Sequence, residues 1–299
     1  MPTGGSTTSA LEGSRRVTDL QAELAKYDHW YHTIDLPGGY RTPGLYDMPR
    51  ALGSVGLPTS LQGQRCLDIG TGDGFWAFEM ERRGASEVVA LDLGGWHPLD
   101  WPPARGSLPE RTSPVSPRFD LAREILGSSV QWMPGSIYDL SPAAFGRFDF
   151  VFIGSMLVHL RDPVRALDAV RTVTTGRLLM NDAISPLLTL LVPSVPAAIL
   201  IGLHFPTWWI PNLAGLKRLA ESAGFDVIDV GSPYYLRYGA GRATADEITL
   251  APITRKPLRS LPLSLLRNLR DRLGKLHSWV LASPRVELGG TPMSSHRSP

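Results

Sequence analysis

The run Cys66-Leu67-Asp68-Ile69-Gly70-Thr71-Gly72-Asp73-Gly74-Phe75 constrains the fold more than any other part of the chain. Arg65 to Ile69 reads as a short buried strand, and from Phe75 onward the apolar spacing is helical. Gly70, Gly72 and Gly74 therefore occupy a strand-to-helix turn, where glycine accepts positive φ and lets a ligand touch the main chain. The helix that starts there offers its unpaired N–H groups to whatever binds. A nucleotide-like ligand is the expected guest.

The remaining segments repeat the strand–helix alternation. "SEVVALDL" (86–93), "SVQWM" (129–133), "FDFVFIG" (148–154), "GRLLMNDAI" (176–184) and "FDVIDVG" (225–231) read as strands. "RFDLAREIL" is an amphipathic helix, and "RDPVRALDAVRTV" carries Asp162 as N-cap with Pro163 at the first helical position. In "PNLAGLKRLAESAGF", Asn212 caps a helix that Gly224 ends. Such alternation predicts an α/β fold, a doubly wound parallel sheet binding its ligand at the carboxyl ends of the strands. The expected organisation is a disordered leader (1–16), an N-terminal helical cap with a helix over 17–31 (17–59), and a main domain (60–257) with insertions at 94–117 and 185–211. A C-terminal amphipathic helix (258–282) and a tail (283–299) follow.

Composition narrows the class. Of 299 residues, 43% are hydrophobic and 19% charged, the balance of a globular protein, and a net charge of +2 demands no polyanionic partner. The single cysteine, Cys66, excludes an internal disulfide framework and fits a reducing cytosol, so a cytoplasmic location is expected. The N-terminal residues show no apolar segment of a secretory signal. The apolar stretch 185–206 is cut by Pro193, Pro196 and Pro206, which favours a buried or lid-like insertion over a membrane span. His97, His159, His204 and Cys66 form no metal-ligand spacing, so no metal is expected.

The glycine turn selects among nucleotides. In G-T-G-D-G the third glycine arrives too early for a dinucleotide fingerprint, and no Lys follows as in a phosphate-cradling loop. "LDIGTGDG" resembles motif I of class I S-adenosylmethionine-dependent methyltransferases, which implies a Rossmann-like sheet and S-adenosyl-L-methionine as cofactor. On that resemblance Asp68, Gly70 and Gly72 hold the cofactor's amino-acid end and ribose. Asp92, with Leu93 beside it, takes the ribose hydroxyls; Ser136 and Ile137 of "GSIYDL" read adenine; Gly154 passes under the cofactor. "WYHTIDLPGGYRTPG", "MLVHLRDP" and "WWIPNLAGLKRLAESAGF" are similar to the subfamily related to the tRNA wobble-uridine carboxymethyltransferases, whose cofactor is carboxy-S-adenosylmethionine. This chain departs from that pattern, with Val158 where a Tyr precedes the loop His and Leu45 where the loop has a Lys. The extra carboxylate would lose groups able to neutralise it. Ordinary S-adenosylmethionine is therefore expected.

Methyl transfer asks the protein to position a nucleophile and remove its proton where it has one. His159, at the mouth of the fourth strand, is the best-placed imidazole, with a structural role before the Asp162 cap as the alternative. His32 is the second candidate. Tyr40 and Arg41 could close over the site, Arg41 near the cofactor carboxylate, as part of a lid. Trp30, Tyr31, Asn181, Trp208 and Trp209 are the expected acceptor contacts; Asn181 and Asp182 could equally cap local backbone.

Three functions follow. A methyltransferase acting on a small apolar or aromatic molecule draws on the 185–206 insertion and the two tryptophans. A tRNA-modifying enzyme draws on the subfamily resemblance and on the basic face of the C-terminal segment, with Arg267, Arg270, Arg272 and Lys275. Docking of that segment on the domain or on a second subunit, giving a homodimer, is the simpler reading of the same face. A cofactor-fold protein that binds without catalysing is the third.

Overall fold

A computed structural model describes residues 20–27, 29–93, 100, 102, 116–202, 206–242 and 274–286. The expected leader, nearly all of insertion 94–117, residues 258–273 and most of the tail lie outside the described residues.

The strands are β1 (Arg65–Ile69), β2 (Glu87–Asp92), β3 (Gln131–Pro134), β4 (Phe148–Gly154), β5 (Thr174–Ala183), β6 (Ala198–Leu200), β7 (Trp209–Pro211), β8 (Phe225–Val230), β9 (Tyr234–Leu236) and β10 (Lys275–Pro284). The main sheet runs β3-β2-β1-β4-β5-β10-β8, with β9 also paired to β10. β1 pairs in parallel with β2 on one side and β4 on the other, Leu67 lying opposite both Val89 and Val151. Strand order reverses there, so the carboxyl ends of β1 and β4 flank a crevice.

The central strands are apolar almost throughout because both faces are covered. Successive side chains point to opposite sides. Cys66, Phe150 and Phe152 join the core beneath the cap and the helix α1 (Phe75–Arg82). Leu67, Ile69, Val151 and Ile153 join the opposite core, with Leu167 and Val170 of a helix over Pro163–Val173 and Leu216 of one over Leu213–Ser222. The caps hold as expected, Asp162 accepting from Arg165 N–H and Asn212 from Gly215 N–H.

Two elements differ from the sequence reading. The helix expected over 17–31 is helical only at 20–25 among the described residues. His29 then takes φ 64°, and Trp30 and Tyr31 give their carbonyls to the N–H groups of Leu45 and Tyr46. A ladder between distant segments has replaced the helical bonds. The C-terminal helix expected over 258–282 is a strand from Lys275 to Pro284, antiparallel to β5 and β8. Ser278, Val280 and Ala282 are buried on one face, while Trp279 and Leu281 pack into the other core. Leu276 and Val280 share a helical spacing, but the open edges of β5 and β8 need backbone partners, and that requirement is invisible locally.

The insertion at 185–211 is a short helix (Pro186–Leu191) and the β6–β7 hairpin. No helix among the described residues is long and apolar enough to cross a membrane.

Candidate active site

The crevice beside β1 holds a cavity of about 610 Å³. Its floor is the glycine turn: Gly70, Gly72 and Gly74 have φ of 73°, 56° and 95°. A Cβ on Gly70 would stand 2.8 Å from the Met156 sulfur, so that side of the cavity has no room for a side chain. Asp92, at the end of β2, accepts from Gly72 N–H at 2.8 Å and from Leu93 N–H at 2.7 Å. Its carboxylate therefore shapes the turn as well as facing the cavity. Asp68 is buried behind the turn and accepts from the Thr71 hydroxyl at 2.7 Å; burial pushes its carboxyl up to about 7. Ser136, Ile137 and Gly154 complete the expected cofactor set on the cavity wall.

The opposite wall comes from the cap and from the loop after β4. Tyr31 and His32 line it, and so do Ser155, Met156, His159 and Leu160. The His32 ring is buried with its Nδ1 unpartnered, and burial pushes it down to about 4. Ser155 holds φ 52°, a left-handed conformation unusual for a residue with a side chain. Its hydroxyl lies 3.0 Å from Nε2 of His277 and hydrogen-bonds the Tyr31 phenol. His277 gives its Nδ1–H to the Lys275 carbonyl at 2.9 Å, which leaves Nε2 as acceptor for the Ser155 proton.

His159 donates Nδ1–H to the Pro206 carbonyl of the insertion, a contact that places a hydrogen on Nδ1 because a carbonyl can only accept. Asp182 anchors the short 3₁₀ turn carrying His159 (Leu157–His159) by accepting from Leu157 N–H at 2.7 Å; burial pushes the Asp182 carboxyl up to about 7. The turn separates two cavities. Met156, His159 and Leu160 face the first; Leu157 and Val158 face a second, apolar one of about 410 Å³ under the β6–β7 hairpin.

Several expected contacts lie elsewhere. Arg41 is half exposed and pairs with Asp35 at 2.6 Å, away from the cavity, and Tyr40 packs against the cap core. Trp30 is fully buried in that core. Asn181 is buried and accepts from the Tyr234 hydroxyl at 2.9 Å, joining β5 to β9. Trp208 donates to the Asp100 carbonyl at 2.6 Å, and Trp209 lines the second cavity. In each case a local hydrogen bond or core packing already claims the side chain. Conversely, Tyr138, Asp100 and Arg165 line the first cavity, tied by the Tyr138 hydroxyl donating to Asp100 at 2.6 Å and by Arg165 stacking on the Tyr138 ring. Tyr138 follows directly on Ser136-Ile137 and could have been read from that segment; Asp100, within a proline-rich insertion, carried no local signal.

Residues 46–230 match the family profile for a methyltransferase domain, well over half of the chain. The chain belongs to the methyltransferase-domain family. This methyltransferase is 26% identical over 176 residues to a tRNA U34 carboxymethyltransferase of Helicobacter pylori (strain G27), covering 58% of this chain and 60% of the relative. It is 29% identical over 171 residues to one of Alcanivorax borkumensis, covering 56% and 46%. The match thus spans only about half the length of these curated relatives, 60% of the one and 46% of the other. Among solved structures it shares its fold with the [4+2]-cyclase SpnF (TM-score 0.51, 17% identity, 90% of this chain and 93% of that one). The N-terminal domain of EvdMO1, solved with S-adenosylhomocysteine bound, is also similar in fold (TM-score 0.50, 15% identity, 90% and 97%). The expected Rossmann-like sheet and cofactor class agree with this family.

His32 yields a direct prediction. Its folded value near 4 lies below the ordinary imidazole value of 6.5, so the unfolded chain takes up the proton first. The stability contributed by the buried neutral ring is present above that ordinary value and lost as pH falls through the interval. In NMR the ring should show no titration above about pH 5.5, whereas a midpoint near the unperturbed imidazole value would mean that the ring is hydrated.

Proposed function

We propose that this methyltransferase uses S-adenosyl-L-methionine to methylate an oxygen or nitrogen of a small apolar or aromatic molecule. One observation carries the reading: the wall facing the cofactor turn sets Tyr31, Met156 and Leu160 beside His32, Ser155 and His159, and Arg165 is the sole Lys or Arg lining the cavity among the described residues. An enclosure with aromatic and aliphatic walls, four Asp residues and a single cation suits a small ring better than a polyanion.

The residues present fit the cofactor. The glycine turn leaves main chain, not side chains, against its amino-acid end; Asp92 suits the ribose hydroxyls; Ser136 and Ile137 suit adenine. When bound, the cofactor supplies an activated methyl on a sulfonium. His159 Nε2 takes the acceptor's proton, while Tyr31 and Met156 hold the acceptor in line and exclude water. His32 is too weak a base for that task at neutral pH and acts as a neutral wall.

The names of the curated relatives favour a second reading, an RNA acceptor with a carboxylated cofactor. Val158 and Leu45 speak against it, since Val158 is buried facing the second cavity, Leu45 packs against the cap core, and neither offers charge to the extra carboxylate. The deciding experiment supplies labelled S-adenosylmethionine and, in parallel, labelled carboxy-S-adenosylmethionine with a cell extract separated into small-molecule and RNA fractions. Label should enter the small-molecule fraction, at a rate nearly independent of salt. Label in RNA, with affinity falling ~10³-fold or more between 50 and 200 mM salt, would establish the tRNA reading instead.

A further inference from the structure

One carboxylate of the glycine turn, outside the expected site, holds the cap at the cavity. Asp73 lies within the glycine turn, between Gly72 and Gly74, and is 1% exposed. Its Oδ2 accepts from the main-chain N–H of Tyr31 at 2.5 Å and of His32 at 3.0 Å, and its Oδ1 accepts from Arg118 Nε at 2.9 Å. Among the described residues, Tyr31 and His32 are the cap residues that line the cavity.

We infer that Asp73 is a positioning residue that ties the cofactor turn to the cap and so assembles the acceptor side of the site. The inference rests on the reading of this cavity as the cofactor and acceptor site. A buried carboxylate is tolerated only when donors surround it, and here two come from the cap and one from the start of the 117–126 helix. The clamp sets the direction of both cap side chains. With its N–H held, Tyr31 turns its phenol to Ser155; with its N–H held, His32 lays its ring beside Gly72, where an added Cβ would stand 3.4 Å away. Gly72 is fixed from the other side by Asp92. The ribose-binding carboxylate, the turn and the cap thus form one continuous chain of contacts. A ligand that settles the turn also settles the cap, and linkage makes the effect reciprocal.

The two oxygens of Asp73 have separate partners, which makes the role testable without knowing the acceptor. Asn at 73 keeps an acceptor oxygen for both cap N–H groups and places its amide toward Arg118. Amide hydrogen exchange would be followed in wild type, Asp73→Ala, Asp73→Asn and Arg118→Ala, with and without S-adenosylhomocysteine. Asp73→Ala should lower protection at Tyr31 and His32 by about tenfold or more while β1 and β4 stay protected. Asp73→Asn and Arg118→Ala should remain within about threefold of wild type at both amides. S-adenosylhomocysteine should slow exchange at both amides in wild type and not in Asp73→Ala.

Unchanged cap protection in Asp73→Ala would overturn the inference, as would an Arg118→Ala loss equal to it, which marks an ordinary ion pair. So would ligand-induced protection of the cap in Asp73→Ala. Should Asp73→Ala lose protection throughout the sheet, the other two variants decide: loss of cap protection in Asp73→Asn rejects the clamp, and its retention in both supports it. A wild type that fails to bind S-adenosylhomocysteine in calorimetry would refute the cofactor reading instead, while the ligand-free exchange series still scores the clamp.

Discussion

Asp92→Ala should weaken S-adenosylhomocysteine binding by about 1.5–3 kcal/mol, roughly tenfold to 150-fold, the range for hydrogen bonds to a charged group. Two effects combine. The ribose hydroxyls lose a carboxylate able to accept from both, and the turn loses the acceptor that holds Gly72 N–H at 2.8 Å. Asp92→Asn separates them, because an amide oxygen can still accept from Gly72 while the charge is gone. Its affinity should fall between wild type and Asp92→Ala. Calorimetry on the three proteins gives the answer, and equal affinities would remove Asp92 from the cofactor site.

His159→Ala carries the largest expected effect, a fall in kcat of about 10²–10⁴-fold with cofactor affinity retained, as for a positioned proton acceptor. In the proposed role Nε2 is the nitrogen that would take the proton: the Pro206 carbonyl can only accept, so Nδ1 carries a hydrogen. The pH–rate profile of the variant should lose its imidazole-dependent limb. An acceptor that is already anionic, or carries a free lone pair, requires no base. A variant that keeps most of its activity would then favour rate enhancement by proximity alone, with His159 as a wall of the site.

The two histidines show how far local sequence can carry such an argument. Both stood out as titratable groups near the expected crevice, and both line it. Their difference in environment was not legible, because it depends on what surrounds each ring. His32 is enclosed by the cap and loses basicity to burial, whereas His159 is half-buried and is oriented by a carbonyl 47 residues away. The tryptophans teach the reverse. Aromatic bulk near an apolar insertion suggested an acceptor chamber, yet Trp30 serves the core of the cap and Trp209 a separate cavity. Burial of a large ring is favourable wherever space allows, so residue type alone does not say which cavity it fills.

The sequence by itself determined the sheet from β1 to β5 with β8, the caps at Asp162 and Asn212, and the glycine turn with Asp92, Ser136 and Gly154 around it. These features rest on interactions within a few residues: periodic burial, cap hydrogen bonds and the steric freedom of glycine. Tertiary structure decided the rest. β10 is a strand because β5 and β8 present open edges, though part of its sequence has helical spacing. The 30–32 segment leaves the helix because Asp73, Leu45 and Tyr46 engage its main chain from 15 or more residues away. Backbone groups must find partners wherever the fold supplies them, and a partner distant in sequence leaves no periodic trace in the residues it captures.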